Sequence, residues 1–452
     1  MGSVASTPEQ APPIPPAPEH QTRNLLCYAA INALLYLCAP VLYVDVLHAT
    51  LLDKLGASKA VANLPMSAFF LTSVTPLVVH WLIPDPRRLR AILAVSYICG
   101  ALAGAGLAAA LVAPISPGLQ IAAVIVYAAV VGAAFWNAGV YIWDALAQGV
   151  GEAWRGRALG LSFGIGPVFA VAGSLATQAV VGRGDGPGAG LAGLHFPRDY
   201  AALFSASFPA LILAAALALG LRLPRAIPGR AEGTAKRLSF GGFILGGIRD
   251  LLQGRHFVLL CLSYWLFAVA FGVLGNVSLN VRNAVGVEPK TLAGTMLALR
   301  FGGKVIAGLG LGLLLSRRGA RAAAVTAVCI MVISLVWAMS VHGPAYLAAF
   351  ALLGAAELSC VYYSNYCVAV SRPEQVNRNV AFLQLALLPS FAAATVHGWV
   401  ADQFGFEVSF ALALAAAVAA VVTARMLPGG TAPRPHPAPL RGAPLPCREG
   451  DD

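Results

Sequence analysis

Three ionisable side chains stand inside stretches that are otherwise apolar: Arg300, Lys304 and Glu357. A charge at the centre of a bilayer costs about 2.5–3.5 kcal/mol or more, so such residues mark ion pairs, ligand sites or proton relays. Arg300 and Lys304 are four apart and share one helical face. Counting ~1.5 Å per residue along each stretch puts Lys304 and Glu357 near the same midplane depth. One carboxylate does not neutralise two cations, so this set predicts a spare positive charge. That charge would attract an anionic group, with Glu357 holding or releasing the two cations. The competing account is a structural ion pair, with Arg300 reaching toward water. Asp45 and Asp144 are two further acids, expected near water at the outer and inner ends of their stretches. Asp144 is expected beside Arg155 or Arg157. Either acid, like Glu357, could take up a proton.

Polar and aromatic residues recur at helical spacing in four of the apolar stretches. Asn32 and Tyr36 lie with Tyr28 and Tyr43 in one; Asn137 and Tyr141 lie in a second. Asn276 and Asn280 lie in a third, and Tyr362 and Asn365 in a fourth. In lipid a polar stripe must find a protein or water partner, so together these favour a wet cavity. Tyr43 and Tyr366 are expected in the interfacial aromatic belt. Enzyme chemistry finds little support. Gly160-Leu161-Ser162-Phe163-Gly164 spells a nucleophile-elbow motif but sits in an apolar helix, where no strand–turn–helix can form. Gly302-Gly303-Lys304 lacks the rest of a phosphate loop, and no paired cysteines or histidines suggest a metal site. No cofactor or metal is expected.

The elements that must hold these residues follow from composition. Of 452 residues, 58% are apolar and 11% charged, and mean hydropathy is +0.76; soluble domains carry roughly 25% charged residues. Apolar runs of about 20 residues recur, each long enough for a ~30 Å hydrocarbon core. They are continuous rather than alternating, which excludes a barrel and predicts an all-α polytopic membrane protein. Twelve spans are expected at 24–47, 58–83, 89–112, 119–148, 156–182, 200–221, 256–281, 290–315, 320–341, 344–370, 377–401 and 407–427. With the N-terminus inside, 22 of the 30 basic residues fall on the inner side and six on the outer. This bias places both termini in the cytoplasm of a multi-pass protein of the cell membrane, plasma or inner. The net charge of +11 therefore reports topology rather than nucleic-acid binding.

The chain divides into a disordered tail over 1–22, a six-span half over 23–221, a linker over 222–255, a second half over 256–427 and a disordered tail over 428–452. In the linker, Phe240, Phe243, Ile244, Ile248, Leu251 and Leu252 recur at helical spacing, predicting an amphipathic helix over 238–252 on the inner membrane surface. The halves also repeat a loop feature. Asp85, Arg87, Arg88 and Arg90 follow span 2, while Gly312, Ser316, Arg317, Arg318, Gly319 and Arg321 surround the turn after span 8.

With these loops the sequence resembles the major facilitator superfamily of secondary transporters, whose members carry G-x-x-x-D-R-x-G-R-R between spans 2 and 3 and a weaker copy between spans 8 and 9. Gly312, Arg317, Gly319 and Arg321 match the later copy, and Asp85, Arg88 and Arg90 the degenerate earlier one. Gly156-Arg157-Ala158-Leu159-Gly160 and Gly398-Trp399-Val400-Ala401-Asp402-Gln403-Phe404-Gly405 are similar to the family's usual phrasing. Span 4 lacks the arginine common in proton-coupled members, and only Gly166-Pro167 remains of the antiporter signature. The resemblance implies two six-helix bundles rocking about a midplane site lined by spans 1, 4, 7 and 10. The expectation is a secondary transporter for a small polar, anionic solute, with a proton or ion as possible co-substrate and the lipid bilayer as its surroundings. The alternatives are a sensor or scaffold that keeps the fold, and a polytopic membrane enzyme.

Overall fold

The computed structural model describes residues 18–83, 86–150, 154, 165–181, 194–223, 239–252, 254–371 and 376–428. Among them all regular structure is helical, as an apolar solvent requires of open-ended segments. Nine described helices are long and apolar enough to cross a membrane. One of these, Pro289–Ser340, would measure about 78 Å if straight, far beyond the hydrocarbon thickness. Gly319 breaks it with φ 82° and ψ 175°. Leu311 before the break and Ala323, Ala324 and Ala327 after it share one apolar cluster with Tyr362. The two segments therefore fold back on each other as spans 8 and 9. A first span in three pieces and the apolar helix Gly166–Val181 complete the twelve.

Several spans follow their apolar runs closely: Leu89–Val112, Pro117–Gly149 and Phe406–Arg425 are spans 3, 4 and 12. Span 1 departs most. It begins at Pro18, so the end of the expected N-terminal tail is helical, and it continues to Lys54. Polar residues at its start conceal this, because a helix end in water needs no apolar run. Pro40 has no N–H for the Tyr36 carbonyl, and the helix is interrupted at Cys38. A second interruption runs over Tyr43–Asp45, where Tyr43 is extended, and Asp45 restarts the helix by accepting from the Val46 N–H.

The halves meet where glycines allow backbones to touch. A Cβ on Gly294 of span 8 would lie 2.4 Å from the Ser174 carbonyl of span 5, and one on Gly398 of span 11 would lie 2.4 Å from that of Lys59 at the start of span 2. Polar links join the halves at the end of the bundle away from the termini, here the distal end. Asp402 accepts from the Lys59 and Ala60 N–H groups at 3.0 and 2.9 Å. Arg282 reaches Asp53 at 2.7 Å, and Lys290 reaches Asp199 at 2.9 Å. Gln178 donates to the Thr291 carbonyl at 2.5 Å, and Asn63 donates to Asn276 at 2.9 Å. Arg282 also pairs with Glu288, which with Asp53 holds its guanidinium above the ordinary value.

The linker helix is present as Phe240–Leu252, with Phe243, Ile244 and Ile248 of its apolar face packed on the bundle. Phe243 packs against His80 of span 2 and Phe382 of span 11, and Leu251 is buried. The helix thus straps the bundle's terminal end and leaves Leu245 exposed.

Candidate functional site

Arg300, Lys304 and Glu357 come together because spans 8 and 10 touch backbone to backbone. A Cβ on Gly303 would lie 2.0 Å from the Ala351 carbonyl, and one on Gly354 would lie 1.8 Å from the Arg300 carbonyl. Only glycine permits that approach. Glu357 then bridges both cations. Its Oε2 accepts from Arg300 Nε at 2.9 Å and Nη2 at 2.6 Å, and its Oε1 accepts from Lys304 Nζ at 2.6 Å.

The spare cation expected from three residues is absent, because Asp45 makes the set four. Arg300 Nη1 donates to Asp45 Oδ2 across the boundary between the halves. Two cations face two carboxylates, and the premise for an anionic solute falls. Asp45 is 5% exposed, so it does not sit near water as expected, and Arg300, 1% exposed, does not reach toward water as the competing account has it. The interruption of span 1 explains Asp45: outside the helical path its carboxylate reaches Arg300 within the bundle, and buried protein contacts tolerate the broken backbone. Tyr43, in the same interruption, lies 4.6 Å from Lys304 Nζ and 5.8 Å from the Arg300 guanidinium. It is therefore a cation–π partner rather than a member of the interfacial belt. Phe271 and Phe301 flank Arg300 at 5.7 and 6.0 Å.

Beside this tetrad a cavity of about 180 Å³ penetrates the N-terminal half between spans 1, 3, 4 and 6. Of the expected polar residues, Asn32 and Tyr36 line it, with Tyr43 at the border with the tetrad. Asn32 donates to the Tyr28 carbonyl at 2.9 Å, and the Tyr36 ring packs against Gly166 of span 5.

The other candidates lie elsewhere. Asn137 donates to the Ala133 carbonyl at 2.8 Å and to Thr75 at 3.2 Å, bracing spans 4 and 2. Tyr141 is buried in the core of the N-terminal half. Asn276 is absorbed by a network with Asn63, the His397 carbonyl and Ser409. Asn280 meets Tyr346 near the distal end at 3.4 Å. Tyr362 packs with spans 8 and 9, and Asn365 is half-buried on span 10. Asp144 is half-buried on span 4 near His80, while Arg155 and Arg157 lie outside the described residues.

In the loop motifs, Asp85 also lies outside the described residues. Arg88 is exposed, and Arg90 donates to the Leu221 carbonyl at 3.2 Å. Gly319 makes the turn, Arg321 donates to the Arg425 carbonyl and Arg317 is exposed. Gly312 faces open space, so close helix contact is not its role. The residues missed in the sequence are the distal links Asp53, Asn63, Gln178, Asp199, Lys290 and Asp402. Most sit at span ends, where a polar residue reads as solvated.

No family model matches the sequence, and no curated protein sequence matches it. Solved structures do share its chain path. The nucleoside transporter NupG superposes with a TM-score of 0.64 at 12% identity, covering 89% of this chain and 98% of its own. A D-xylose-proton symporter gives 0.61 at 12% identity, covering 92% and 98%. The E. coli fucose:proton symporter FucP gives 0.59 at 14% identity, covering 90% and 99%; a further FucP structure is that of a major facilitator superfamily transporter in the outward conformation, at 0.60. By fold, this chain is a twelve-helix membrane protein of the major facilitator type.

Proposed function

We propose that the chain is a secondary transporter that moves a small polar solute by alternating access, and that the Asp45–Arg300–Glu357–Lys304 tetrad is the contact its two halves make and break. The observation that carries this reading is the ion pair between Asp45 of one half and Arg300 of the other, buried beside a cavity. A buried pair gives little net stability over apolar packing, whereas a pair across a moving boundary can act as a switch. Protonation of Asp45 would release Arg300 to Glu357 alone and weaken the hold between halves, which makes a proton the natural coupled ion. With the termini in the cytoplasm of a cell-membrane protein, as the basic residues suggest, the linked distal end faces outward and the described state is closed to the outside. The structural neighbours, which move a nucleoside or a sugar, support the transporter class.

The test is reconstitution into liposomes with an imposed pH gradient, following internal pH and uptake across a panel of radiolabelled metabolites. Solute-dependent proton entry that Asp45→Asn abolishes is the expected result. An absence of solute-driven flux or proton movement across the panel would favour a non-transporting sensor.

A further inference from the structure

Among the described residues, none that lines the cavity within the N-terminal half is charged. Tyr28, Tyr36, Tyr97, Phe135 and Trp143 supply aromatic faces, while Asn32 and Ser96 supply polar groups. The cations of the tetrad approach the cavity at the Tyr43 border, and there each already has a carboxylate. Tyr97 adds a second observation. It lines the cavity at 3% exposure, and its hydroxyl has no hydrogen-bond partner among the described residues. A buried hydroxyl without a partner is costly and an apolar replacement is not, so such a group calls for a ligand atom. Gly139 of span 4 also lines the cavity, and a Cβ built there meets nothing within 4 Å. The wall is thus open where a side chain would fill it.

We infer that this cavity binds an uncharged ring compound, its faces stacked on the aromatic side chains and its hydroxyl or amide edge bonded to Tyr97 and Asn32. The inference rests on the transporter reading above and names its solute class. An acidic solute would bring a charge into a wall whose described residues include no cation, at a desolvation cost. A purely apolar one would leave the Tyr97 hydroxyl unmet.

The experiment is calorimetric titration of the purified full chain with uridine, adenosine, D-xylose and D-glucose, set against uridine monophosphate and D-glucuronate as acidic counterparts. At least one uncharged ring should bind, with its acidic counterpart tenfold weaker or worse. Gly139→Leu should abolish binding while thermal unfolding stays unchanged or moves upward. Tyr97→Phe should weaken binding about tenfold, the scale of one lost hydrogen bond of ~1.4 kcal/mol, without lowering the unfolding temperature. Binding that prefers the acidic counterparts, binding unaltered by Gly139→Leu, or no binding of any uncharged ring would overturn the assignment. Counterflow uptake separates the two readings. A solute that is transported but indifferent to Gly139→Leu removes the cavity assignment and keeps the transporter; a solute bound in the cavity and never transported does the reverse.

Discussion

Replacing Glu357 with glutamine tests whether the tetrad is a set of mutually compensating charges. Lys304 Nζ is 2.6 Å from Glu357 Oε1, its side chain is 7% exposed, and no other carboxylate pairs with it among the described residues. Arg300 would keep Asp45. The Glu357→Gln chain therefore carries one uncompensated buried cation, a situation that costs about 3–5 kcal/mol. Lys304→Gln alone leaves Asp45 and Glu357 sharing Arg300, one carboxylate in excess, but each carboxylate keeps a cation and the loss is milder. Removing both charges together restores neutrality, and such replacements of a whole pair are often near neutral. Equilibrium unfolding in mixed micelles should thus give a loss of about 3–5 kcal/mol for Glu357→Gln, most of it recovered in the double variant. A coupling energy below about 0.5 kcal/mol in this cycle, within the range of independent sites, would refute the reasoning.

Two further outcomes follow from named contacts. Gly354→Ala drives a Cβ to 1.8 Å from the Arg300 carbonyl, so spans 8 and 10 must separate; a loss of about 3 kcal/mol or more is expected, seen as a lower unfolding temperature than the Glu357→Gln/Lys304→Gln double variant shows. Arg282→Gln removes a link whose side chain is 48% exposed, so it should cost less than about 1 kcal/mol and the difference should vanish in 1 M salt.

Span placement was largely legible because continuous apolar runs report directly on burial in lipid, and the linker helix because its apolar residues recur at helical spacing. The ends of span 1 were not, since Pro18–Arg23 carries the polarity of a tail, and helix termini in water leave no hydropathic trace. Arg300, Lys304 and Glu357 stood out as charges in apolar runs. Their fourth partner did not, because Asp45 lies 255 residues from Arg300 and in an interruption that only Pro40 hints at. The charge count of the site was therefore wrong by one carboxylate, and the anionic solute followed from that error. Gly303 and Gly354, which bring the set together, look like any other membrane glycines until the facing backbone is known. Asn276 shows the opposite failure: a polar residue in an expected cavity-lining span whose partners, Asn63, His397 and Ser409, occupy it in the protein interior.

The central claim, that the halves move about a breakable ion pair, is tested most directly by the distance between the distal loops. Spin labels at Ile115→Cys and His342→Cys, both exposed positions in different halves, can be placed in a chain whose native cysteines are replaced. Double electron–electron resonance should give one short-distance population at neutral pH. Asp45→Asn, which mimics protonation of the bridging carboxylate, should add a second population at longer distance. A single distribution that is identical with and without Asp45→Asn would contradict the account.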